Sequence, residues 1–329
     1  MPLHYDLFSS SEGIQLMMQF DNNYWALIIG GSSGFGLATA KKLARHGMNL
    51  CIVHRDRRAA MRQIAPVFED LEAAGIQLKT YNLDGLSDEG RQKVLDGLSE
   101  ALGEDGKIRM LLHAVAFGNL KLLAPYQEPD AAAQARAKIA ADAGLSAENL
   151  HQVIERSFEE GYDALYPLVD QGADYSNRQF LEKEDFVRTI QAMGFNIVEW
   201  AKDLLERRLF APDARVLSLT SEGNTVAWRG YAAVSAAKAV LESASRAMAV
   251  EMAPHGIRSN VIQAGVTETP ALRAIPGNQR ISAQSRLRNP FGRLTSPEDV
   301  ANVIFLLCLD EAAWINGALI CADGGERIG

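Results

Sequence analysis

The stretch from Trp25 to Gly47 constrains the fold more than any other. "WALIIGG" is a short apolar run that ends in glycines, as a buried strand does. "LATAKKLARHG" follows at helical spacing and stops at Gly47. Between them lies "GGSSGFG", Gly30 to Gly36. Gly30, Gly34 and Gly36 can take backbone conformations that other residues resist, and they let an anion approach the amides at a helix N-terminus. A glycine pattern alone could be a tight structural turn. A strand before it and a helix after it make it a cradle for a dinucleotide pyrophosphate. Gly30, Ser32, Ser33, Gly34, Phe35 and Gly36 are the expected contacts.

The alternation continues along the chain. Further strands are expected at Asn49–Arg55, before Leu83, at Ile108–Phe117, Ala214–Ser221, Gly256–Gly265 and Gly317–Gly325, with helical patterns between most of them. Strands alternating with helices predict an α/β fold, a Rossmann-type doubly wound parallel sheet of about seven strands. Residues 1–23 read as an N-terminal extension. Residues 24–329 read as one catalytic domain, interrupted after the fourth strand by a helical insertion over residues 119–184. Such a connection normally takes a few residues. Inside it, Leu150, Val153, Ile154, Phe158, Tyr162, Leu165 and Val169 recur at helical spacing, with Ser146 as the N-cap. Glu128 to Asp174 holds ten acidic and three basic residues, a net of −7. The insertion is either a packing or oligomer element, or a substrate lid or docking arm.

Formal charge is −8 for 329 residues, so a nucleic-acid binder would need a compensating basic face. Cys51, Cys308 and Cys321 lie far apart, which argues against a disulfide framework or a metal site and fits a reducing compartment. No secretory pattern opens the chain, and no apolar run reaches the roughly 18 residues of a membrane span. A cytoplasmic protein is expected.

A ribose reader belongs about 20 residues beyond the glycine turn, at the end of the second strand. Counting places it at Arg55 in "VHRDRR". Arg55, Arg57 and Arg58 would pair with a 2′-phosphate, which favours NADPH, while Asp56 keeps NADH open. In "YAAVSAAK", Tyr231, Ser235 and Lys238 share a helical face. A lysine near a phenol is expected to lower its pKa and make it a competent proton or hydrogen-bond donor. Ser221, at the end of the fifth strand, could be a second donor.

With these residues in place, the chain resembles the short-chain dehydrogenase/reductases. The glycine turn, "LLHAVA", "SLTS", the Tyr/Lys helix, "NVIQAG" and "ICADGG" fall in that family's order, over roughly residues 24–117 and 185–325. Most members place the tyrosine four residues before the lysine, where this chain has Val234. The Tyr-x6-Lys spacing of Tyr231 and Lys238 resembles the enoyl-acyl carrier protein reductase branch, as do "SNVIQAGVTETPALRAI" and His113 to Phe117. Many enoyl reductases carry a second aromatic about ten residues before the tyrosine; here that position is Ser221, the serine of ordinary members. This mixture is similar to the NADPH-using enoyl reductases. The resemblance further implies adenine contacts at Asn82 and Leu83, and cofactor contacts at Ala114, Val115, Ala116, Lys238, Ala264 and Gly265. Val266, Thr267 and Thr269 would border the nicotinamide amide, and Asn196 stands where ordinary members keep a helix asparagine.

Three residues of displacement add three rises of about 1.5 Å, roughly one turn. A phenol set back by a turn suits an enolate oxygen whose reacting carbon lies two atoms further on. The expected activity is reduction of the C=C bond of a trans-2-enoyl thioester, with Tyr231, Ser221 and Lys238 catalytic. The alternatives are a ketoreductase or alcohol dehydrogenase acting on C=O, and a non-catalytic nucleotide-sensing protein. From Thr269 to Pro297 there are five arginines and no acid. That is an expected docking patch for an acidic carrier protein or a CoA phosphate. The resemblance also implies a homotetramer or homodimer.

Overall fold

A computed structural model describes residues 5–10, 13–126, 130–168 and 179–329. An antiparallel hairpin, β1 (Tyr5–Ser10) and β2 (Gly13–Met18), precedes the sheet. The sheet itself takes β3 (Tyr24–Ile29), β4 (Asn49–His54), β5 (Leu78–Asn82), β6 (Lys107–His113), β7 (Phe210–Thr220), β8 (Ile257–Ala264) and β9 (Leu319–Ala322). Their order is β5-β4-β3-β6-β7-β8-β9, and every pairing is parallel. This is the doubly wound sheet expected from the alternation.

The inner strands are buried along almost their whole length because both faces are covered, whereas the edge strands β5 and β9 are part-exposed. Successive residues alternate between two cores. Ala26, Ile28, Leu50, Ile52, Leu217 and Ile262 pack beneath α1 (Gly34–Ala44), α2 (Arg58–Glu72) and α11 (Pro297–Cys308). Trp25, Leu27, Cys51, Val53, Leu111 and Val216 pack against α3 (Asp88–Leu102), α7 (Asn196–Glu206) and α8 (Ala232–Glu251). Strand order reverses between β3 and β6, so a crevice opens there at the C-terminal strand ends.

Three strands differ from expectation: β7 begins at Phe210, four residues before Ala214, and β6 and β9 are shorter. β6 stops at His113 rather than Phe117. The backbone of Ala114 still reaches the neighbouring strand by donating to the Ile29 carbonyl, after which the chain turns over the crevice. β9 is confined to Leu319–Ala322.

Between β6 and α6 (Lys183–Ile190) lie α4 (Asp130–Asp142), α5 (Ala147–Glu159) and a 3₁₀ turn at Asp163–Leu168. Ser146 caps α5, accepting from the Asn149 amide. Leu150, Ile154 and Phe158 are buried, whereas Val153, Tyr162 and Leu165 are exposed; the expected stripe beyond them, at Val169, lies outside the described residues. The excursion is pinched at its base by the Leu122–Phe180 bridge, the Leu181 amide on the Leu122 carbonyl, and a Lys121–Asp185 ion pair at 2.8 Å.

Candidate active site

The first turn of α1 has the geometry an anion cradle requires. Gly30 has φ +89°, and a Cβ there would stand 2.8 Å from the Ala114 carbonyl oxygen. Gly34 has φ +50°. Ser33 is the N-cap residue, and neither its side chain nor an acid in the first turn caps the helix amides. Those amides are therefore left free at the wall of an open crevice. Gly30, Ser32, Ser33, Gly34 and Phe35 line it, together with Arg55, Leu83, Ala114, Val115, Ala116 and Thr269. The residues fit a dinucleotide: a tight turn, free amides for the pyrophosphate, and a long crevice running from β4 to β6.

Three expected contacts, Gly36, Asn82 and Lys238, line neither this crevice nor the cavity beside it. Gly36 does not line the crevice; a Cβ there would lie 2.2 Å from the Gly30 carbonyl oxygen, so this glycine lets α1 pack on the turn. The Asn82 side chain holds the β4 exit instead, accepting from the Asp56 amide at 2.9 Å and donating to the Asp56 carbonyl at 3.0 Å. Around it, Asp56 meets His54 at 2.9 Å and Arg55 meets Asp84 at 2.9 Å. Arg55 also lies over the Phe117 ring, 5.0 Å from its centroid. Arg57 and Arg58 stand outside the lining.

The second cavity adjoins the crevice and shares Phe35, Thr269 and Ala271 with it. β7 ends at Thr220 and releases Ser221 onto its wall; Gly230, at φ +71°, turns the chain to deliver Tyr231 at the start of α8. The hydroxyls of Ser221 and Tyr231 meet at 3.4 Å. Gly223 lies under the ring, where a Cβ would be 2.5 Å from Tyr231 Cε1. Trp228, Leu272, Ile275 and Ile281 form apolar walls, while Ala264, Gly265, Val266 and Thr267 line the side beneath β8.

Lys238 is buried, and its Nζ donates to the Leu219 carbonyl at 2.8 Å. Burial lowers its pKa to about 8, with Glu242 acting the other way. The pKa of Tyr231 is raised by burial, against a lowering by the Ser221 hydrogen bond. This corrects the expectation of a lowered phenol: desolvation outweighs the opposing contact. His113 is buried and neutral, its pKa near 3 through burial and then the charge of Lys238.

Sequence reasoning missed Glu242. It accepts from Thr220 Oγ1 at 2.8 Å and from Asn224 Nδ2, and so ties the Ser221 turn to α8. Its i,i+4 spacing from Lys238 was the available signal. Glu222 was missed as well; it takes a bidentate pair from Arg288 at 2.8 and 2.9 Å.

The arginine patch after β8 is corrected. α9 (Pro270–Arg273) and α10 (Asn278–Arg288) cover the second cavity, and all five arginines already face carboxylates. Arg273 pairs with Glu268, Arg280 with Glu155, Arg286 with Asp163, Arg288 with Glu222 and Arg293 with Asp299. Local charge counting sees five cations; the fold returns an anion to each.

Fold and site together define a doubly wound scaffold with a crevice at the glycine turn and an apolar cavity beside it. A KR domain model matches residues 25–162, and an Enoyl-(Acyl carrier protein) reductase model matches residues 170–326. With both halves matched, the chain belongs to the short-chain dehydrogenase/reductase family and resembles its enoyl-acyl carrier protein reductase branch. It is 33% identical over 155 residues to the enoyl-[acyl-carrier-protein] reductase [NADH] FabI of Escherichia coli, covering 47% of this chain and 58% of that protein. It is 30% identical over 145 residues to the 3-oxoacyl-[acyl-carrier-protein] reductase FabG of the same organism, covering 44% and 59%. The matched stretches thus span little more than half of each relative. In fold, it is similar to the enoyl-[acyl-carrier-protein] reductase (NADH) structure from Aquifex aeolicus, with TM-score 0.65, 21% identity, and 93% and 97% of the two chains covered.

Proposed function

We propose that this oxidoreductase reduces the C=C bond of a trans-2-enoyl thioester with NADPH. The observation that carries the reading is Tyr231, seven residues before Lys238, with its hydroxyl beside Ser221 on the wall of an apolar cavity that adjoins the nucleotide crevice. When bound, the reduced nicotinamide supplies a hydride. Gly30, Ser32, Ser33 and Gly34 would hold the pyrophosphate, and Arg55 the 2′-phosphate. The Arg55–Asp84 pair is exposed, and such pairs are worth at most about 1 kcal/mol, so a phosphate can displace it.

The chain's own groups act on the thioester oxygen. A buried phenol with a raised pKa is fully protonated at neutral pH, so Tyr231 donates a hydrogen bond to that oxygen as it gains charge, and then a proton. Ser221 is the second donor. Lys238 places positive charge beneath the end of β7, and Glu242 fixes the Ser221 turn. Phe35, Trp228, Leu272 and Ile281 exclude water from the acyl chain.

One observation favours a second reading, reduction of a 3-ketoacyl thioester: Ser221 stands where a ketoreductase keeps its serine, and the likeness to a 3-oxoacyl reductase is nearly as extensive as that to an enoyl reductase. Loss of reduced-nicotinamide absorbance with an enoyl and a 3-ketoacyl thioester separates the two. Consumption with the enoyl substrate, abolished in Tyr231→Phe, supports C=C reduction; consumption with the keto substrate alone overturns it. Tight NADPH binding with turnover of neither would leave a sensor. Among the described residues no helix is long and apolar enough to cross a membrane. A cytoplasmic homo-oligomer is the proposed state, since Val250, Trp314 and Leu319 expose apolar surface near the β9 edge.

A further inference from the structure

We propose that the acidic insertion is a brace that positions the substrate loop: Glu155 and Asp163 hold α10 through Arg280 and Arg286, and this hold sets the affinity for substrate. The role in substrate affinity rests on the thioester reading above; the hold on α10 does not.

α10 is not a helix that its own sequence would stabilise. "NQRISAQSRLR" carries only Ile281, Ala283 and Leu287 as apolar residues, with no continuous stripe to bury. Its N-cap is Gly277, which offers no side-chain cap, and its first turn has no acid. Eleven residues of this kind are too short and too polar to be ordered alone. The order comes from partners.

Two of those partners belong to the insertion. Arg280 is buried and gives its Nε to Glu155 of α5 at 2.7 Å. Arg286 makes a bidentate pair with Asp163, at 2.6 and 2.7 Å. Between the two arginines, Ala283 is fully buried against Leu150, Ile154 and Phe158. Planar guanidinium–carboxylate pairs of this kind fix orientation as well as distance. They join two acids of the insertion to two of the five arginines after β8.

The remaining surface of α10 faces the chemistry. Ile281 lines the substrate cavity, and Arg288 clamps Glu222, the neighbour of Ser221. Among the described residues, none from 119–184 lines that cavity. The insertion therefore acts through α10 as a set of positioning residues. The pinched base at Leu122 and Phe180 gives it a fixed anchor on the sheet side. A loop held in this way is ordered before substrate arrives, so binding need not supply the ordering free energy.

The test uses the full chain with Asp163→Arg, which sets two cations face to face, and the swap Asp163→Arg with Arg286→Asp, which restores the pair in reverse. Hydrogen exchange of the residue 270–289 amides and steady-state kinetics are read for each. The expected result is faster exchange in Asp163→Arg, substrate KM raised at least about 5-fold with kcat and NADPH affinity little changed, and recovery of both in the swap. If Asp163→Arg does not fold, Asp163→Asn gives the same readouts with a smaller shift. Unchanged exchange in a folded variant overturns the brace. So does a KM effect that the swap fails to reverse, or a fall in kcat with KM constant. If the wild type turns over neither thioester, the exchange measurement still decides the hold on α10, and only the functional reading falls.

Discussion

The Ser221 hydroxyl lies 3.4 Å from the Tyr231 hydroxyl, ten residues on and across the turn between β7 and α8. Two donors that converge from different elements can share one substrate oxygen. Tyr231→Phe is expected to lower kcat by about 10²–10⁴-fold, with NADPH affinity kept. Ser221→Ala, which leaves the stronger donor, is expected to cost less. Turnover and cofactor titration on the same samples check both, and equal losses would mean that the serine shares the main role.

Gly223 offers a test of placement without removing a functional group. An added Cβ would meet the Tyr231 ring at 2.5 Å and force it from its position. Gly223→Ala is expected to reduce kcat by about 10-fold to 10²-fold while the melting temperature changes little, because a shift near 1 Å is enough to lose alignment. A variant with wild-type kcat would show that the ring relocates freely.

Lys238 is charged below a pKa of about 8 and neutral above it, since burial penalises the ammonium. If its charge assists the oxyanion at Tyr231, kcat/KM should fall as pH rises through about 8. Lys238→Met should lower the rate and remove that inflection. A pH profile of kcat/KM, which reports the free enzyme, distinguishes the two.

Asp213 gathers three arginines at the opposite end of the sheet: Arg109 at 2.6 Å, Arg215 at 2.5 Å, and Arg258. Arg109 and Arg215 are fully buried. Burial pushes the Asp213 carboxyl up, but the Arg215 hydrogen bond and the charge of Arg109 hold it below its ordinary 3.8. A carboxyl depressed in the folded state contributes stability above its unfolded pKa, and that stability is lost as pH falls through the lower folded value. The contribution is thus complete at neutral pH and fades only below about pH 4. Asp213→Ala, which leaves the buried Arg215 guanidinium without a carboxylate while Arg109 keeps Asp310, should cost about 3 kcal/mol in denaturant unfolding at pH 7.

Arg55→Ala is expected to weaken NADPH binding by about 10-fold or more and leave NADH nearly unchanged, since it removes the crevice cation at the ribose end. Equal loss for both cofactors would assign Arg55 to adenine stacking with Phe117 instead.

What was legible in the sequence was local. Apolar runs marked the inner strands, because a strand covered on both faces is apolar over most of its length; the edge strands β5 and β9, part-exposed, were placed by the alternation with helices. The turn from Gly30 to Gly34 was readable because positive φ and close approach to Ala114 exclude side chains. Tyr231 and Ser221 were readable by spacing and strand end. Gly36 and Asn82 were assigned to the cofactor because they flank the right loops, yet the fold uses one to seat a helix and the other to hold a backbone. The arginines show the limit most clearly. Arg280 and Arg286 find Glu155 and Asp163, 125 and 123 residues away, and Arg109 finds Asp310 across 201. Periodicity and capping are properties of neighbouring residues, so the sequence alone determined the strand–helix alternation of the sheet and the glycine turn. Which charge neutralises which, and whether burial raises or lowers a pKa, depends on docked surfaces and lost water, and only the tertiary structure decided those.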